Sequence, residues 1–77
     1  MGIDDLRKLI ALALEVDEDQ VLMESQIGSI EEWDSLGHIS ILSRLDLEYD
    51  NITERVPDLA SCTTVLEIHK MLEQNGL

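Results

Sequence analysis

Three segments of this 77-residue chain set apolar side chains three and four residues apart, and none alternates them every second residue. Three-and-four spacing gathers side chains on one side of an α-helix, whereas a half-buried strand needs a period of two, so the chain must build its core from helix faces. The first stripe is Ile3, Leu6, Leu9, Ile10, Ala13 and Leu14, which predicts a helix from Ile3 to about Val16. Asp4 and Asp5 read as its capping residues and suit the positive end of the helix dipole. The second stripe is Leu36, Ile39, Leu42, Leu45 and Tyr49, with Asp34 as N-cap and Ser35 in the first turn. The third is Val65, Ile68, Met71 and Leu72, opened by the capping box Thr64-Val65-Leu66-Glu67 and stopped by Asn75-Gly76.

The connections differ in kind. Asp17-Glu18-Asp19 ends the first helix, and no period returns for about seventeen residues, a length unusual in so small a domain unless it covers a core or carries function. Its scattered Val21, Leu22, Met23, Ile27 and Ile30 predict that it packs across the helices. In DNITERVPDLASC, Thr53 caps one short helix or Pro57 opens another. The expected fold is all-α, a small antiparallel bundle of three to four helices with a long first loop and one short irregular helix, in a single domain over residues 1–77.

Hydrophobic residues make up 44% of the chain, a globular rather than a disordered composition, yet Trp33 and Tyr49 are its only aromatics. An aliphatic core follows. Seventeen acids against five bases leave a formal net charge of -12, which repels phosphate backbones and anionic lipid, so nucleic acid and membranes are excluded and partners should present basic patches. The same charge makes a monomer the default and predicts that salt or divalent cations stabilise the fold. Cys62 has no second cysteine to pair with and reads as a small buried hydrophobe. MGIDDLRKLI lacks the basic-then-apolar layout of a signal peptide, and no apolar run is long enough to span a bilayer, which places the protein in the cytoplasm.

A core this small leaves little room for a catalytic cavity, so the ends of elements are the places for chemistry. Ser35 stands where backbone N–H groups are free and the helix dipole is positive, a good position for a phosphodiester on its oxygen. His38 lies one turn further on, but a hydrolytic triad also needs an orienting group and an oxyanion hole, so His38 and His69 read as exposed surface histidines and the chain as a protein without enzymatic activity. Asp17, Glu18 and Asp19 lack the glycine and spacing of a calcium-binding loop, and no metal site is expected.

Asp34-Ser35-Leu36 at the start of a second helix, in a short, very acidic, helical chain, resembles the acyl carrier protein family. The likeness extends over nearly the whole chain and includes the stripe from Leu36 to Tyr49, Val56-Pro57-Asp58 and Thr63-Thr64-Val65. The resemblance implies that a phosphopantetheinyl transferase moves 4'-phosphopantetheine from coenzyme A to Ser35, and that the arm's thiol carries acyl or aminoacyl groups as thioesters. A loading ligase and downstream transferases with basic docking patches would be the partners. Asp34, Leu36, Trp33 and His38 would meet them, with Glu31, Glu32, Asp46 and Glu48 extending the charged face. Carriers of fatty acid synthesis have further acids after the serine, where this chain has Gly37, His38, Ser40 and Arg44, and Trp33 is bulkier than the family's usual residue there. These departures point to a specialised biosynthetic carrier. A peptidyl or aryl carrier fits less well, because the glycine-rich lead-in is missing. From a different class, a small acidic helical adaptor that binds a basic partner without covalent modification explains the charge and the helices but gives Ser35 no role.

Overall fold

The computed structural model describes every residue from Met1 to Leu77 and consists of four α-helices with no strand. Helix α1 spans Ile3–Leu14, α2 Ser35–Tyr49, α3 Ile52–Arg55 and α4 Val65–Gln74, with 3-10 turns at Glu18–Gln20 and Pro57–Ser61. The expected all-α bundle is what the chain forms. The reading in which Pro57 opens an element holds, and a separate four-residue helix precedes it.

Local chemistry explains most boundaries. α1 ends at Glu15, whose left-handed φ of 58° turns the chain so that the Val16 amide returns to the Ala11 carbonyl at 3.0 Å. Its start departs from expectation: Gly2 is the N-cap, and Asp4 and Asp5 sit inside the first turn, where they act on the dipole rather than as caps. Asp50 and Asn51 both adopt positive φ, which breaks α2 from α3. Thr53 is not the cap of α3 but its second residue, held through its amide and hydroxyl by the Asp46 carboxylate at 2.8 and 2.9 Å. At α4 the Thr64 hydroxyl accepts from the Glu67 amide at 3.0 Å, the first bond of the expected capping box, while the Glu67 carboxylate accepts from that hydroxyl at 3.1 Å rather than from the Thr64 amide.

The core joins Leu6, Leu9, Ile10, Ala11 and Leu14 of α1 to Ile41 and Leu45 of α2 and to Val65, Ile68 and Leu72 of α4, with Val21, Ile52, Leu59 and Cys62 closing its edges. It is not purely aliphatic. Trp33 lies fully buried within it and is its largest side chain, so the single indole supplies volume that the missing phenylalanines do not. The long first connection is tied down as predicted. Arg7 donates to the Val21 carbonyl at 2.6 Å, and the Ile27 and Val65 amides exchange bonds with the Thr63 and Ser25 carbonyls at 2.8 and 3.0 Å, which joins the connection to the approach of α4. Leu22, Met23 and Ile27 nevertheless face solvent.

The face that α2 buries is a correction. Leu36, Ile39, Leu42, Leu45 and Tyr49 read as one stripe, but the helix buries His38, Ile41 and Leu45 and leaves Leu36 75% and Ile39 58% exposed. The reason is angular. From Leu36 to Leu45 the apolar steps are all of three residues, and nine residues are about 2.5 turns at 3.6 per turn, so the two leucines stand on opposite sides.

Candidate functional site

Ser35 is the first residue of the longest helix and is exposed. The side chain of Asp34 just before it accepts from the Gly37 amide at 2.9 Å, and the Asp34 carbonyl accepts from the His38 amide at 2.8 Å. The first two amides of α2, those of Ser35 and Leu36, precede any intrahelical acceptor. The hydrogen bonds around Ser35 bypass its hydroxyl, which stands in water between an exposed acid and an exposed leucine.

Beneath this surface the turn is rigidly assembled. The Trp33 amide donates to the Ile30 carbonyl at 2.9 Å, and the Trp33 carbonyl accepts from Gly28 at 2.8 Å, with Gly28 at a φ of +89° that suits glycine. Gly37 packs so closely on the chain entering the helix that a Cβ there would lie 2.1 Å from the Glu32 carbonyl oxygen and 2.8 Å from Leu14. The Trp33 indole N–H donates to His38 Nδ1 at 3.2 Å, and His38 Nε2 bonds the Ala60 carbonyl at 3.1 Å.

Two of the four expected partner contacts are thereby overturned. Trp33 is fully buried and His38 is 8% exposed, so neither is offered to a docking protein, and His38 is a core residue rather than a surface histidine. An indole and an imidazole can be buried because each ring nitrogen here finds a partner. With both nitrogens committed, His38 has none with which to take a proton from Ser35. His69 is also partly covered, bonding the Met1 carbonyl at 3.1 Å and Glu73 at 3.2 Å. Asp34 and Leu36 remain exposed, as do Glu31, Glu32 and Glu48, whereas Asp46 is occupied by Thr53. On the solvent side of α2, Leu36, Ile39 and Leu47 are apolar and stand beside Ser43, the base Arg44 and the single exposed acid Glu48. Sequence periodicity missed Gly37 and the Trp33–His38 pair; the lone tryptophan of an aromatic-poor chain was the available signal.

Elsewhere the surface is shallow. The largest groove, about 520 Å³, runs between α1 and α2 past Lys8, Leu12, Arg44, Leu47 and Tyr49, away from Ser35. Ala13 borders a neighbouring groove, Ala11 is packed into the core, and Gly28 serves its turn. Burial, with Glu67 and Asp58 adding to it, pushes the Cys62 thiol up from its ordinary range, and burial with Glu48 and Asp5 does the same for the Tyr49 phenol. No cluster of three or more His, Cys, Asp or Glu side chains is arranged to hold a metal ion. No helix is long and apolar enough to cross a membrane. Compared with protein-family models, curated proteins and solved structures, the chain has no match.

Proposed function

We propose that this protein is a carrier that holds acyl or aminoacyl groups as thioesters on a 4'-phosphopantetheine arm attached to Ser35, and presents them to partner enzymes in a specialised biosynthetic pathway of the cytoplasm. The observation that carries this reading is the exposed, unengaged Ser35 hydroxyl in the first turn of a helix whose start is held by backbone and side-chain hydrogen bonds and by the close packing of Gly37. The residues present fit the group. The free Ser35 and Leu36 amides and the dipole favour a phosphodiester on Oγ, and the exposed Leu36 offers apolar support to the arm. When attached, the arm supplies the thiol that the buried Cys62 does not.

Attachment forms one bond from Ser35 Oγ to the phosphorus nearest the pantetheine, as the adenosine bisphosphate of coenzyme A departs. The hydroxyl proton passes to a base of the phosphopantetheinyl transferase. The exposed Glu31, Glu32 and Asp34 would meet basic residues of the transferase and the loading ligase, while Leu36 and Ile39 would meet apolar surface. The apolar face of α2 supports a partner set other than that of housekeeping fatty acid carriers.

The deciding experiment is intact mass after incubation with coenzyme A and a broad-specificity transferase, beside Ser35→Ala. One phosphopantetheine adduct on the parent and none on the variant is the expected result. A folded parent that stays unmodified would overturn the carrier reading and leave an acidic adaptor for a basic protein partner as the better account.

A further inference from the structure

The Trp33–His38 pair brackets Ser35, with one ring two residues before it and the other three residues after. The donors and acceptors of this pair admit a single arrangement of protons. An indole N–H only donates, so His38 Nδ1 must carry the lone pair; a carbonyl only accepts, so Nε2 must carry the hydrogen that reaches Ala60. The ring planes lie within 15° of each other, with centroids 6.3 Å apart, both inside the core. The imidazole therefore connects three pieces of chain: the end of the long connection, the first turn of α2 and the 3-10 turn Pro57–Ser61. Gly37, packed on Glu32 and Leu14, closes the same turn from the other side.

We infer that His38, as the neutral Nε2–H tautomer, is a positioning residue that locks the first turn of α2 and so fixes the direction in which Ser35 meets the modifying enzyme. This role rests on the proposed modification of Ser35. A second proton on the ring would set an N–H against the indole N–H across 3.2 Å, exchanging a bond for a repulsion inside the core. No carboxylate is placed to compensate. Glu31, Glu32 and Asp34 before the helix, Asp58 on the 3-10 turn and Glu15 after α1 are exposed, and the chain's two ion pairs, Arg7–Asp4 and His69–Glu73, lie elsewhere.

The test compares the parent, His38→Gln and His38→Leu. Glutamine offers one acceptor and one donor but does not titrate; leucine fills space and leaves the indole unpartnered. Transferase kcat/KM is measured for each carrier at neutral pH. His38→Leu is expected to be modified roughly tenfold more slowly, the scale of leaving one buried donor without its partner, although circular dichroism shows its helices intact. His38→Gln should recover most of the parent's rate. Nitrogen resonances of the His38 ring in the parent should report an unprotonated Nδ1 and a protonated Nε2 at neutral pH. The opposite tautomer, or a folded His38→Leu modified as fast as the parent, would overturn the positioning role and leave the carrier reading standing. No adduct on the parent would overturn both.

Discussion

Helices α2 and α4 have similar densities of aliphatic residues, but only α4 could be phased from its sequence. In α4 the steps from Val65 to Ile68 to Leu72 are three and four residues, and seven residues return almost to the same side of a helix, so all three are buried as the pattern predicts. In α2 the three-residue steps walk around the helix, and aliphatic side chains end on both the buried and the solvent side. A helix that leaves a single aliphatic side chain in water, as α4 leaves Leu66, announces its orientation. A helix that keeps several in water does not, and here it is also the helix that carries Ser35. The ambiguity and the proposed function share one cause, since apolar residues retained for a partner look in sequence like apolar residues retained for packing.

The comparison is most sharply tested by truncating one core side chain on each helix. Leu45→Ala and Ile68→Ala should each cost about 3 kcal/mol in chemical denaturation, as expected for large-to-small changes at fully buried sites. A mild Leu45→Ala would mean that the phase of α2 is wrong. Gly37→Ala should come next, at about 2 kcal/mol, because its methyl group meets a backbone oxygen that has no rotamer in which to retreat. The same variant should slow Ser35 modification, whereas Gly76→Ala, with open space around it, should affect stability through its positive φ alone. The two side-chain caps should be closer to equal, with Asp34→Ala and Thr64→Ala each losing about 1 kcal/mol. The smallest effects belong to the solvent face: Leu36→Ala and Leu47→Ala should leave stability within about 0.5 kcal/mol of the parent. If Leu36→Ala nevertheless raised the transferase KM, the split between packing and docking along α2 would be demonstrated on one helix.

What was legible follows from the range of each signal. Caps, stops and short-range periods are local, and Asp34, Thr64 and the break after Tyr49 could be found without knowing what packs where, whereas α1, expected to reach about Val16, ends at Leu14 on the left-handed Glu15. The placement of the long connection was half legible: its aliphatics implied contact, but only the fold reveals that Val21 is buried while Leu22 and Met23 are not. Trp33 and His38 were misplaced because five residues separate them across a helix start, a spacing that neither helix nor strand geometry favours, and because the partner of His38 Nε2 lies twenty-two residues on, at Ala60. The expected site residues that stand exposed, Asp34, Ser35 and Leu36, are those whose placement needs only a helix terminus.

The solvent-side leucines have a cost that the charge of the chain offsets. A face bearing Leu12, Leu36, Ile39 and Leu47 would invite copies to stick together in a neutral protein, and the net charge of -12 holds them apart. Solubility and the proposed recognition are therefore coupled in this molecule. Near its isoelectric point of about 4.1 the mutual repulsion disappears while the leucines remain, and precipitation there should be relieved by Leu47→Gln with little change in fold.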